Sequence, residues 1–187
     1  MKKLFLFILV SIPFHSWSQS QEAKFTIEPL YGLETSYVAY PSPGKYVTRG
    51  TYGARLLYGL NKLSFESELT QTKSNEFYQS QDKKVDDTSN RLSLGIRSTL
   101  PLHKFVGIYV RTGARASQGE TEITTAGVKE AKDSPLLVNP YGGAGLQVAV
   151  SSYLALNIGV TFIRNAENKF DQQWAAALST RFGSIRR

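Results

Sequence analysis

Apolar and polar residues alternate with a period of two along almost the whole chain, the pattern of strands with one apolar and one polar face. The last such stretch, QQWAAALSTRFG from Gln172 to Gly183, shows it most plainly. Trp174, Ala176, Leu178, Thr180 and Phe182 share one uncharged face, and Ala175, Ala177, Ser179 and Arg181 share the other. The same alternation predicts strands at about Lys24–Val38, Arg49–Leu60, Lys62–Gln71, Asn90–Leu100, Phe105–Ala116, Leu136–Val150 and Leu154–Ile163. With the closing stretch, eight strands are expected. The most apolar region, Leu146 to Ile163, is broken at Ser151-Ser152-Tyr153 and reads as two strands, not a spanning helix.

The connections alternate in length. Leu60–Lys62, Pro101–Lys104 and Ser151–Tyr153 are tight turns, whereas Ala39–Thr48, Thr72–Ser89, Ser117–Pro135 and Arg164–Asp171 read as longer polar loops. Short turns on one side and long loops on the other belong to barrels that cross a membrane. Three features place the apolar face outward, against lipid. The apolar faces carry no Asp, Glu, Lys or Arg, and one Arg or Lys at the bilayer midplane costs about 2–4 kcal/mol. Most glycines, among them Gly32, Gly53, Gly95, Gly113, Gly145 and Gly159, fall on the polar face, where a narrow barrel is crowded. Aromatic residues of the apolar face sort into two girdles, Tyr37, Tyr52, Phe162 and Trp174 near the loops and Phe25, Tyr58, Phe65 and Phe182 near the turns. The expected fold is all-β, an eight-stranded antiparallel up-and-down transmembrane β-barrel. Pro29 and Pro140 lack a ladder donor, so bulges are expected there, or Pro140 lies past the end of its ladder.

The N-terminus changes the picture of the compartment. Met1-Lys2-Lys3, an apolar run to Ile12 and Ser16-Trp17-Ser18 have the three regions of a cleavable secretory signal. The expected division is a signal peptide over 1–18 and one barrel domain over 19–187, whose charge falls from the chain's +7 to +5. No cysteine is present, which excludes disulfides, thiolate metal sites and a Cys nucleophile. The basic residues are scattered, with no run of five, so nucleic acid is not an expected partner.

Candidate chemistry lies on the inward faces: Glu28, Glu34, Glu66, Glu68, Arg55, Arg91, Arg97, Arg111, Arg115 and Arg181. Every acid is Glu and every base Arg, whose planar fork binds a carboxylate in two places. The expected arrangement is a plug of Glu–Arg pairs filling the lumen. The alternative is a gate, in which pairs exchange partners and pass small solutes. Catalysis has little to work with. His15 lies in the signal and His103 in a short turn, so no Ser–His pair forms near the outer leaflet. Glu66 and Glu68 both point inward and form a conceivable acid–base pair, but arginine partners are the stronger expectation. No phosphate loop or zinc spacing occurs, and no cofactor is expected. Thr72–Ser89, with Phe77-Tyr78 and Asp82, Asp86 and Asp87, reads as a flexible solvated loop. Recognition or a divalent cation at those acids is the alternative.

Through this strand and loop pattern, and through Ser179-Thr180-Arg181-Phe182-Gly183 at its end, the chain resembles the eight-stranded outer-membrane β-barrels of the OmpA/OmpX type. The likeness is to the barrel domain only, and the chain departs from it by adding Ser184-Ile185-Arg186-Arg187. The resemblance implies a place in the outer membrane of a Gram-negative bacterium and insertion by the barrel assembly machinery, which reads such a closing strand. It also implies contact with outer-membrane lipid and lipopolysaccharide. A monomer is expected, with a non-enzymatic structural, envelope-stabilising or surface-contact role. A narrow channel for small or hydrophobic solutes is the alternative, and a lipid-modifying enzyme a third.

Overall fold

The computed structural model describes residues 24–38, 44–60, 62–78, 83–125, 128–165 and 168–182. The expected signal peptide over 1–18 lies outside them. The strands are β1 (Lys24–Val38), β2 (Lys45–Gly59), β3 (Leu63–Tyr78), β4 (Lys83–Pro101), β5 (Val106–Thr125), β6 (Val128–Asp133), β7 (Leu137–Ala149), β8 (Leu154–Arg164) and β9 (Phe170–Phe182). All pairings are antiparallel. The sheet closes because β1 pairs with both β2 and β9, and β5 with both β4 and β7. The ring therefore contains eight strands. β6 stands outside it, pairing only with the far end of β5, from Glu120↔Asp133 to Thr125↔Val128.

Each ring strand turns its uncharged face outward. Phe65 is 72% exposed and Leu94 54%, while Glu28 and Glu68 on the opposite face are 0% exposed. Such a barrel has its apolar side chains outside and its polar ones inside, the reverse of a soluble core. The turn-side girdle is continuous across four strands, since Phe25 pairs with both Tyr58 and Phe182, and Tyr58 with Phe65. The Phe25 and Phe182 rings lie 6.4 Å apart. On the loop side Tyr37 packs edge-on against Tyr46 at 5.4 Å, and Trp174 pairs with Leu33 and Val160. Tyr52 donates to Gln71, which in turn donates to Asn90 at 3.0 Å, and Asn90 pairs with Gln118. This outward polar row marks where the apolar band ends and amide groups return to the surface.

Several strands run past that row, which corrects the expected loop pattern. The β3–β4 ladder continues to Tyr78↔Lys83 and β4–β5 to Lys83↔Thr125. Most of Thr72–Ser89 is thus a paired hairpin and not a flexible loop, and Ser117–Pro135 holds a second one, closed by β6. Together β3, β4, β5 and β6 form a sheet rising beyond the membrane band. In water such strands need only ladder hydrogen bonds and polar cross-strand pairs. Lys129 pairs with Glu122 at 2.5 Å between β6 and β5, and β2 ties the sheet down through Lys45–Glu76 at 2.9 Å to β3 and Arg49–Asp87 at 2.8 Å to β4. The Asp82–Asp87 cation site fails on the same geometry. Asp86 and Asp87 are strand neighbours on opposite faces and are held by Lys84 and Arg49 respectively, while Asp82 lies outside the described residues.

The prolines behave differently from one another. Pro140 pairs with Ala114 but lies one residue past the β7–β8 ladder, which begins at Tyr141↔Ile163. Pro29 makes no bulge. The β1–β9 pairing lapses at Glu28 and Pro29 and resumes at Leu30↔Ala177 in the same register. A missing N–H costs the ladder one bond there without inserting a residue.

Candidate functional site: a charged plug in the lumen

Side chains from all eight ring strands meet inside the ring. Nine of the ten charged residues named from the sequence are at most 8% exposed: Glu28, Glu34, Arg55, Glu66, Glu68, Arg91, Arg97, Arg111 and Arg115. Period-two alternation puts them there, and the inward glycines leave them room. Gly145 and Gly159 face each other across β7 and β8, and the Tyr109 phenol lies over both, so that a Cβ on either would come within 2.4 Å of its hydroxyl oxygen.

The plug has three levels. Nearest the turns, Glu28 takes Arg97 at 3.0 Å and Arg55 at 2.9 Å. Its Oε1 also accepts from Asn157 at 2.9 Å and from Ser179. The Arg97 guanidinium sits 3.8 Å from the Tyr109 ring centroid, a cation–π contact on the ring. In the middle, Glu68 meets three guanidiniums: Arg55 at 2.8 Å, Arg111 at 2.8 Å and Arg115 at 3.3 Å. Glu66 lies 2.6 Å from Arg111 and 3.7 Å from Arg55, and Tyr141 donates to it at 3.2 Å. Nearest the loops, Glu34 takes Arg91, Arg115 at 3.2 Å and the Ser36 hydroxyl at 2.7 Å, while Arg115 also reaches Ser93 and Gln173. Arg55 and Arg115 bridge successive levels, so the network is continuous along the barrel axis.

Desolvating one ion costs several kcal/mol, and only close pairing with further hydrogen bonds offsets it. The arrangement meets that demand by sharing: each carboxylate contacts at least two guanidiniums. This same sharing ties both Glu66 and Glu68 to Arg55 and Arg111, the arginine partners expected from the sequence. Arg181 does not join the network. It faces inward at the turn-side mouth, half-buried, donates to Gln147 at 3.3 Å and lines a small pocket with Glu28 and Arg97 without pairing with a carboxylate among the described residues. Arg49 lines the loop-side mouth beside Asp87. Tyr109, Tyr141, Asn157, Gln173, Ser93 and Ser179 were not candidates from the sequence. Their one signal is that they share the parity of the Glu–Arg set.

Two vestibules flank the plug. The loop-side one, about 360 Å³, is lined by Arg49, Asp87, Arg91, Asn139, Asn165 and Asp171 among others. The turn-side one, about 260 Å³, is lined by Lys62, Thr99, His103, Lys104, Gln147 and Arg181 with apolar walls.

Solved structures similar to this one include bacterial outer-membrane barrels. Ail of Yersinia pestis, solved in complex with the heparin analogue sucrose octasulfate, superposes with a TM-score of 0.58 at 14% identity, covering 88% of this chain and 100% of that one. Neisserial surface protein A gives 0.57 at 15% identity, over 86% and 99%. The N-terminal β-barrel domain of Pseudomonas aeruginosa OprF gives 0.53 at 16%, over 88% and 100%. At these identities the likeness is one of fold. No curated protein sequence matches the chain. The model of the outer membrane protein β-barrel domain family matches residues 4–182. The chain belongs to that family, as an eight-stranded barrel of the OmpA/OmpX type residing in the outer membrane.

Proposed function

We propose that the protein is a non-enzymatic barrel with a structural and surface-contact role: a closed stave in the outer membrane that carries a projecting sheet. The observation that carries this reading is the plug. Nine charged side chains at most 8% exposed occupy the lumen where a solute would pass or a substrate bind. What the molecule offers its surroundings is then its lipid-facing wall and the sheet of β3, β4, β5 and β6 beyond the membrane band. The outer-membrane lipids and lipopolysaccharide are the partners expected at the wall.

A gated channel is the second reading. Its support is the sharing of partners: Arg115 holds both Glu34 and Glu68, and Arg55 both Glu28 and Glu68, so either can slide between them. Reconstitution separates the two. The refolded protein in planar bilayers is expected to give no unitary current steps in concentrated potassium chloride. In vesicles of outer-membrane lipid it is expected to release no acyl chains. Discrete steps would replace the closed barrel with the channel, and acyl release would replace it with an enzyme.

A further inference from the structure

We infer that the turn-side vestibule is a binding site for the phosphate headgroup of an anionic phospholipid in the periplasmic leaflet. Four cations converge on this end: Lys62 and Lys104 on the rim, Arg181 half-buried within, and Lys24 beside Arg181 in the adjoining pocket. Among the described residues none of the four is ion-paired, in contrast to the plug, where every carboxylate is shared. The acidic Glu22 lies outside the described residues, two positions before Lys24, so the inference rests on Lys62, Lys104 and Arg181.

The other polar groups of the lining also donate. Gln147 spends its carbonyl oxygen on Arg181 at 3.3 Å, which leaves its amide NH₂ available. His103 accepts the Phe105 N–H through Nδ1 at 3.5 Å, which leaves Nε2 to carry the proton. Thr99 adds a hydroxyl. Lys104 stands over the Phe105 ring at 4.8 Å, and none of these cations holds a carboxylate among the described residues. A concave surface of donors around such cations selects an anion with several acceptor oxygens.

The cations stand on ordered backbone. The Lys62 carbonyl accepts from the Thr99 N–H at 3.0 Å and the Ser98 hydroxyl at 3.1 Å. The Lys104 turn is closed by Leu102 and His103 N–H groups on the Val106 carbonyl, both at 2.9 Å, and by Ala149 N–H on the Phe105 carbonyl at 2.7 Å. At about 260 Å³ the vestibule falls just under the roughly 300–1,000 Å³ of pockets for drug-sized ligands, which suits a headgroup better than a sugar chain.

A lipid fits better than free phosphate because of the walls. Phe105, Val106, Pro101 and Ala149 line the vestibule, and Val106 belongs to the lipid-facing side of β5. A phospholipid whose chains lie against the outer wall can fold its phosphodiester over the rim onto Lys104 and Lys62, as basic pockets between membrane segments take lipid headgroups.

The test uses the mature barrel in maltoside micelles and backbone amide NMR. Short-chain phosphatidylglycerol is expected to shift the amides of Thr99, Gly107, Gln147 and Arg181 saturably. Phosphatidylcholine of the same chain length is expected to leave them in place. Lys62→Ala/Lys104→Ala, both exposed turn positions, is expected to weaken the affinity tenfold or more while heat-modifiable gel migration stays that of the wild type. An unchanged affinity in the double variant, or equal shifts with phosphatidylcholine, would overturn the site. Inorganic phosphate binding as tightly as phosphatidylglycerol would overturn the lipid assignment.

Discussion

Glu68→Ala is expected to destabilise the folded barrel by about 3–5 kcal/mol, the cost of leaving a buried charge without its partner. Glu68 is 0% exposed and is the one carboxylate that meets three guanidiniums. Removing it leaves Arg55, Arg111 and Arg115 with only Glu28, Glu34 and Glu66, which Arg91 and Arg97 already share, so five buried guanidiniums face three carboxylates. The matching control is Glu76→Ala, which breaks the Lys45 pair on the projecting sheet, where the side chains are 45% and 29% exposed. An exposed pair contributes about 0–1 kcal/mol, because water and salt screen it. Urea unfolding in detergent micelles measures both. Similar midpoints for the two variants would mean that the lumen is wet and its charges are individually dispensable.

The second large effect comes from a residue with no side chain. Gly145→Val puts its Cβ 2.4 Å from the Tyr109 ring and 2.5 Å from the Ile158 carbonyl oxygen. The carbonyl is backbone and the ring is backed by the Arg97 guanidinium at 3.8 Å, so neither yields cheaply. Moving the ring moves Arg97, and with it the Glu28 level of the plug. Overpacking of this kind costs about 1–3 kcal/mol before any ion pair is disturbed. Tyr109→Ala in the same background vacates the space and is expected to recover part of the loss. If the single variant refolds and melts like wild type, the close packing of Tyr109 on the glycines is wrong.

Much of this architecture was legible because lipid imposes a strict rule. An outward position within the band admits no charge, so the alternation of Leu92, Leu94 and Ile96 with Arg91, Ser93 and Arg97 assigns both faces at once. The glycines and the Glu–Arg set follow from that parity alone. The rule lapses where lipid ends. Beyond Gln71 and Asn90 the outward residues are Lys73, Asn75, Thr88 and Asp86, which carry no hydrophobic period, so the strands look like loops although their ladders continue. Partner choice inside the lumen was not legible either. Parity says that Arg181 points inward, but only its place along β9 puts it at the mouth, where it donates to Gln147 and pairs with no carboxylate among the described residues. The vestibule of cations went unread for the same reason: Lys62, Lys104 and Arg181 come from three separate segments that meet only when the ring closes.

Trp174 gives the most direct test of which face meets hydrocarbon. It is the only tryptophan after the expected signal, stands on the outward face of β9 and is 54% exposed to whatever surrounds the barrel. In vesicles its fluorescence is expected to be quenched strongly by lipids brominated along the acyl chain and weakly by acrylamide in the water. Quenching by acrylamide with none from brominated chains would put water on that face and contradict the inside-out barrel.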